Sequence, residues 1–311
     1  MTSHILLIFL LALVIDLILG EPPNFIHPVV WMGKMVSFLV KGGIRHSPAI
    51  QFLYGLAAVL ITIAVFVIPT CFLLFYLKKL SSVAYVIVAA TLLKTTFSLR
   101  GLRRAAVVIR NLLRADKLDE ARFALRAMVS RDTSKLDKSQ VVSATVESVA
   151  ENSCDSFVAP LLYFLLLGVP GAVAYRVINT LDAMIGYHGE FEYLGKFAAH
   201  LDSAANLIPS RVTALLIVLA ARIRHGDASG AWRVMLRDRG KTESPNAGWT
   251  MSAVAGALGV QLEKTGYYRL GDNQNSLLPG TIDASLKIIN TLALIWSLLI
   301  ILSEVIYHAA T

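Results

Sequence analysis

Four polar clusters interrupt an otherwise apolar chain, and their residue types define the chemistry open to it. The densest is RDTSKLDKSQVVSATVESVAENSCDS, residues 131–156. Read as a helix, Ser143, Glu147, Glu151 and Asp155 recur every four residues on one face, with Ser148, Asn152 and Ser156 alongside. Like charges at this spacing repel, and no Lys or Arg falls among them, so the stripe is either a solvated face or a place for a cation. Grouped carboxylates suit Mg²⁺, a hard cation that takes one or two of them together with phosphate oxygens. The expected metal ligands are therefore Glu147, Glu151 and Asp155. Arg131, just upstream, is placed to meet a phosphate as a bidentate donor. Glu151 could equally be a general base, and the sequence does not separate ligand from base.

A second cluster, residues 175–211, puts Arg176, Asn179 and Asp182 on one helical face, and Asp202 with Asn206 on another. A third, LGEPPNFIHPV at 19–29, has Pro22, Pro23 and Pro28 to stop a helix and leave Glu21 and His27 at a membrane surface. No second His follows His27 at the three- or four-residue spacing of a metal site. The fourth, SPNAGWTMSAVAGALGV at 244–260, begins with a turn at Pro245 and Gly248. It continues into the small-residue pairs Ser252/Gly256 and Ala255/Gly259. Such pairs serve close helix packing or offer a smooth face to a flat ligand. A nucleotide-binding GxxxxGK[ST] string is absent; GEFEYLGKF from Gly189 has one residue too many and Phe197 where Ser or Thr belongs. GxSxG, HExxH and GxGxxG are absent as well.

The elements that must hold these groups lie in a bilayer. Of 311 residues, 56% are hydrophobic and 16% charged, against roughly 25% charged in a soluble domain, and mean hydropathy is +0.63. Residues 5–19, 51–77, 80–99 and 288–303 read as membrane helices, each near the length needed to cross a hydrocarbon core. Residues 157–175 and 212–221 are doubtful: they span, or they are re-entrant or interfacial helices. A turn at Gly168 to Gly171 would return the chain to its starting side and let the acidic stripe and the Arg176 cluster share one aqueous face. Residues 1–20 lack a basic n-region and a small-residue cleavage site, so they read as a retained helix.

Net charge is +8, and residues 98–140 hold eleven basic and five acidic residues. A basic patch of this kind fits nucleic acid or the excess that keeps a loop on the cytoplasmic side; the second reading is adopted, and no nucleic-acid partner is expected. Residues 100–131 read as an amphipathic helical pair in which Asp116 caps a helix with Leu118, Ala121, Leu125 and Met128 on its buried face. Cys71 and Cys154 form no CxxC or metal spacing. The expected fold is thus all-α, a polytopic integral membrane protein with helical cytoplasmic segments and re-entrant or interfacial helices. Residues 1–99 form three N-terminal membrane helices, 100–283 a mainly cytoplasmic catalytic region, and 284–311 a C-terminal membrane helix. The expected location is the cell membrane, with the main polar region cytoplasmic.

Taken together, DLILGEPPNFIHPV, RDTSKLD, ATVESVAENSCDSFVAPLLY, YRVINTLDAMIGY and SPNAGWTMSAVAGALGV resemble, in the same order, the CobD/CbiB family of cobalamin biosynthesis, the membrane-bound adenosylcobinamide-phosphate synthases. Two positions depart from the family pattern: Glu21 stands where Asp is commoner, and Ser203 where a second Asp is usual, which weakens Asp202 as half of a metal-binding pair. The resemblance implies ATP-dependent amide ligation of adenosylcobyric acid with (R)-1-amino-2-propanol or its O-phosphate. Such a reaction needs activation of a carboxylate, Mg²⁺ for phosphates, cationic donors and a base. On the physical reading, Glu147, Glu151 and Asp182 are the catalytic carboxylates. Arg131, Asn152, Arg176, Asn179, Ser244, Asn246 and His27 are the substrate-binding residues, with Mg²⁺, ATP and a corrinoid as ligands in a lipid bilayer. The oligomeric state is left open.

The rival readings are a transporter or permease for a small polar or corrinoid solute, whose broken helices carry intramembrane polar residues, and a scaffold for other pathway enzymes.

Overall fold

The long uncharged run after Ser47 becomes one 33-residue helix, and the elements around it follow similar local rules. In the computed structural model, which describes residues 4–187 and 189–310, the helices in chain order begin with α1 (His4–Ile18), α2 (Pro28–Val40), α3 (Pro48–Leu80) and α4 (Ser82–Lys94). Next come α5 (Leu99–Arg114), α6 (Leu118–Leu125), α7 (Lys138–Ser153), a π-turn (Cys154–Val158) and α8 (Ala159–Ile185). The chain closes with α9 (Lys196–Ala205), α10 (Leu207–Ile223), α11 (Ala228–Asp238), α12 (Ala247–Leu258), the strands β1 (Leu262–Lys264) and β2 (Tyr268–Leu270), and α13 (Pro279–Ala310). Pro28 and Pro48 each start a helix at its first turn, where the missing N–H would have no partner. Lys78 and Lys79 occupy the last turn of α3, where positive charge favours the helix dipole. Among the described residues four helical runs are long and apolar enough to cross a membrane, or five if a bent pair counts as one. The protein is an all-α polytopic membrane protein.

The chain divides into two compact units. The first comprises residues 1–98, 159–206 and 301–311; the second, 99–158 and 207–300. These units interleave along the chain, because α8 and α9 pack on the N-terminal helices α2 and α3.

Within the first unit, α8 is not a straight span. Gly168 has φ 69° and ψ −166°, a conformation open essentially to glycine alone. Tyr163 and Tyr175 stack with ring centroids 5.2 Å apart, whereas twelve residues of straight helix would separate them by about 18 Å. The chain therefore turns back at Gly168, and α8 is a helical hairpin. The turn expected between Gly168 and Gly171 is present.

In the second unit α5, α6, α12 and β1 pack on α7, all of whose residues from Val141 to Ala150 are buried. The small-residue stripe of α12 meets α11: a Cβ on Gly256 would lie 2.3 Å from the Gly230 carbonyl oxygen. Of the two roles open to that stripe, helix packing takes Gly256. The antiparallel pair β1 and β2, absent from the sequence reading, is a three-residue ladder pairing Leu262 with Leu270.

Three local expectations change. Asp116 does not cap α6; it adopts φ 55° and its carboxylate pairs with Lys138 at 2.6 Å, while Lys117 occupies the cap position. Met128 lies beyond the end of α6 at Leu125, although Ala121 and Leu125 are buried as expected. The α-helical period that aligned Ser143, Glu147, Glu151 and Asp155 ends at Ser153, and Asp155 falls on the π-turn, where the wider winding moves it off the stripe.

Candidate functional site

α7 is started by a capping box: Asp137 accepts from the Gln140 N–H at 2.8 Å, and the Gln140 side chain accepts from the Asp137 N–H at 2.9 Å. The helix so fixed presents Ala144, Glu147, Ser148 and Glu151 to a pocket of about 140 Å³, whose other walls are residues 128–131 and the β-hairpin residues Lys264 and Tyr268. The Glu147 side chain is only 6% exposed. Its Oε1 accepts from Ser143 Oγ at 2.6 Å, and its Oε2 from the Tyr268 hydroxyl at 2.8 Å and from Arg131 Nη2 at 3.3 Å. Burial, reinforced by the Glu147 charge, pushes the Tyr268 hydroxyl well above its usual 10, so it remains a donor. Arg131, which lines the pocket, has its Nε buried with no hydrogen-bond partner among the described residues.

The pocket brings together Arg131, Glu147 and Glu151. It does not assemble the three-carboxylate metal site: Asp155 is absent from its lining, and among the described residues no three His, Cys, Asp or Glu side chains converge to hold a metal. Glu147 already accepts three hydrogen bonds, and Glu151 is the second carboxylate lining the pocket. One carboxylate plus phosphate oxygens is an accepted Mg²⁺ environment, so Arg131 and Glu151 fit Mg²⁺ bound with a phosphate. Asn152 is engaged within the helix, donating to the Ser148 carbonyl at 2.9 Å and accepting from Ser156 at 3.3 Å. A wider hollow of about 580 Å³, lined by Lys241 and residues 263–269, shares Lys264 and Tyr268 with the pocket.

The first unit has its own polar pocket, about 340 Å³, lined by Glu21, Asn24, His27, Val29, Val30, residues 95–98 and Arg176. His27 Nδ1 accepts from the Val29 N–H at 3.2 Å and so caps α2, leaving Nε2 to meet Glu21 at 2.8 Å. Lys94 bridges Glu21 at 2.9 Å and Asp16 at 3.1 Å, with Lys94 and Asp16 buried. Burial opposes ionisation of Glu21, but hydrogen bonds from His27, Ser98 and Lys94 outweigh it and hold the carboxyl at about 2. Glu21 is a fixed anion. Arg176 Nη1 donates to Asn179 at 3.3 Å. Asp182 lies one turn further along α8, its Oδ1 so close to Gly186 that a Cβ there would be 2.1 Å away.

The remaining predicted residues build α12. Ser244 Oγ accepts from the Asn246 and Ala247 N–H groups, both at 3.3 Å, just ahead of the helix. Asn246 is buried, its Oδ1 accepting from Arg211 at 2.6 Å and from Ser210 at 3.2 Å. Four participants escaped the sequence reading. Asp16 and Lys94 are single charges inside apolar runs, and paired intramembrane charges are a recognised signal. Tyr268 and Lys264 reach the pocket through a hairpin with no alternation to reveal it.

A multi-pass helical membrane protein carrying two buried, charged pockets is thus the class that fold and sites define. A family model described as CobD/Cbib protein matches residues 9–294, and the chain belongs to that family. It is 52% identical over 306 residues to the cobalamin biosynthesis protein CobD of Dehalococcoides mccartyi, covering 98% of this chain and 99% of the relative. Against the probable cobalamin biosynthesis protein CobD of Methanothermobacter thermautotrophicus it is 44% identical over 268 residues, 85% and 86% of the two chains. Against the probable CobD of Pyrococcus furiosus it is 41% identical over 261 residues, 83% and 85% of the two. No solved structure matches.

Proposed function

We propose that the protein serves cobalamin biosynthesis as an ATP-dependent amide ligase of the cell membrane, with its main polar region cytoplasmic. It would join a propionate of adenosylcobyric acid to (R)-1-amino-2-propanol or its O-phosphate. Family membership and the names of the relatives support the pathway. The observation that carries the chemistry is the pocket of Arg131, Glu147, Glu151 and Tyr268, where a buried cationic donor and a carboxylate face one small cavity.

A carboxylate is a poor electrophile, so the propionate oxygen must first be phosphorylated. That oxygen attacks phosphorus of ATP, the bond to the nucleotide leaving group breaks, and an acyl phosphate results. The amine nitrogen then attacks the acyl carbon, phosphate departs, and the surplus ammonium proton passes to a base. Mg²⁺, when bound, neutralises phosphate charge and orients the transferring group. Arg131 spreads charge over the transferring oxygens. Glu147 holds Arg131 and Tyr268 in place. Tyr268 donates a hydrogen bond. Glu151 is either the Mg²⁺ ligand or the base, and Asp182, Arg176 and His27 remain proposed for the substrate contacts of the first unit.

The test is ligation by purified protein in detergent with ATP, Mg²⁺, adenosylcobyric acid and aminopropanol phosphate, followed by mass spectrometry of the corrinoid. Absence of product, together with uptake of unmodified corrinoid into proteoliposomes, would replace the ligase reading with a carrier.

A further inference from the structure

Two arginines of the second unit converge on one indole. The guanidinium carbon of Arg211 on α10 lies 4.7 Å from the Trp249 ring centroid, and that of Arg239, just after α11, lies 4.4 Å from it. The two positive charges are therefore within about 9 Å of one another, roughly one Debye length at physiological salt. Among the described residues neither has an ion-pair partner. Arg211 donates to neutral acceptors: Asn246 Oδ1, the Leu207 carbonyl and Ser210 Oγ. By contrast, Arg237 and Lys241, which flank Arg239 in sequence, both pair with Asp238. The positive charge at Trp249 is thus uncompensated where its neighbours' is balanced.

The indole holds both guanidiniums by cation–π attraction and sets the spacing between them. Arg211 is further fixed by its contacts to Asn246 and Leu207. The α12 N-terminus begins at Ala247, two residues before Trp249, and adds positive potential. Two planar forks held at one indole near a helix start are suited to an oxyanion with several oxygens. Leu207, Ile208, Leu215 and Leu219 of α10 are exposed apolar residues, so the same helix that carries Arg211 offers an acyl-chain surface, and a Trp–Arg pair is the composition of a membrane interface.

We propose that Arg211, Arg239 and Trp249 form a clamp for a phosphate group, separate from the Glu147 pocket and unassigned by the ligase reading. Its ligand chemistry is a phosphate ester, carried by an anionic phospholipid or by a soluble phosphate.

Full-length protein purified in detergent would be offered phosphatidylglycerol against phosphatidylcholine, with retained lipid counted by native mass spectrometry, and inorganic phosphate by calorimetry. The variants are Arg239→Gln, Arg211→Gln and the conservative Arg239→Lys. Removing one of the two charges is expected to weaken retention of the anionic ligand about fivefold, in line with ~1 kcal/mol per basic residue near a charged surface, with partial rescue by Lys. Arg239 is exposed, so Arg239→Gln is expected to fold, checked by circular dichroism. A loss confined to phosphatidylglycerol identifies a lipid site, and a loss confined to inorganic phosphate a soluble ligand. Unchanged binding of both in the two Gln variants overturns the proposal.

Discussion

Tyr163 and Tyr175 stack at 5.2 Å with their planes inclined by only 16°, and this pair holds the two arms of the α8 hairpin together. Tyr163 also donates to the Ala205 carbonyl at 3.0 Å and Tyr175 to Asn206 at 2.9 Å, so both arms are tied to the end of α9. The hairpin depends on Gly168. A Cβ there would meet only Pro170 Cδ at 3.7 Å, so the cost of Gly168→Ala is conformational rather than steric. It is expected to destabilise the protein by about 1–3 kcal/mol, read as a lower thermal midpoint in detergent. An unchanged midpoint would contradict the backbone conformation at Gly168.

Lys94 and Asp16 form a buried pair, 2% and 0% exposed. Lys94→Met takes the cation from the buried Asp16 carboxylate and should cost roughly 3–5 kcal/mol, whereas Asp16→Leu leaves Lys94 its contact with Glu21 at 2.9 Å and should cost less. The double variant should recover most of that loss. The measurement is the folded fraction surviving size exclusion after heating. Equal damage in single and double variants would show that the pair is not the relevant interaction.

In the Glu147 pocket, Tyr268→Phe removes one donor to a carboxylate that retains Ser143 and Arg131. The protein should stay folded while ligation falls by about ten- to a hundredfold, on the order of 1.5–3 kcal/mol for a hydrogen bond to a charged group. Glu147→Ala leaves three donors without an acceptor and should destabilise the fold as well. Glu151→Gln should abolish turnover. Full turnover by Glu151→Gln would remove that residue from the mechanism.

Asp238 gives a pH signature away from the membrane segments. Burial opposes its ionisation, but hydrogen bonds from Arg237, Lys241 and the Gly271 N–H bring the carboxyl from 3.8 to about 2. A depressed carboxyl contributes stability above its unfolded value and loses it as pH falls through the folded one. Asp238 should therefore contribute on the order of 2 kcal/mol at neutral pH, lost between about pH 4 and pH 2. Asp238→Asn should lower stability at pH 7 and flatten the dependence in that window, measured by thermal melts across pH.

Much of this architecture is legible in the sequence because hydrophobic runs of bilayer length are a strong signal: α3 and α13 lie where the long uncharged segments fall, whereas α1, at 15 residues, is shorter than the other candidate spans. The Gly168 break is legible too, since Gly and Pro punctuate an apolar run. Helical period is reliable only while the helix stays α, which is why Glu147 and Glu151 share a pocket and Asp155, beyond Ser153, does not. Nothing in the spacing of Asp16 and Lys94, 78 positions apart, says that they pair; that follows from the packing of α1 on α4. Tyr268 was hidden because a three-residue strand is too short to show alternation.

That short hairpin has a dynamic consequence. A two-stranded ladder of this length is marginal by itself, and it is fastened at two points: the Glu263 N–H donates to Ser143 Oγ at 2.9 Å, and the Gly271 N–H to Asp238 at 2.8 Å. The wall that carries Tyr268 should therefore exchange its amide hydrogens faster than α7 opposite it. Ser143→Ala should speed exchange in residues 262–271 selectively, and ligand occupancy should slow it. Amide exchange in this one segment would then report whether the cavity is closed before any covalent chemistry is measured.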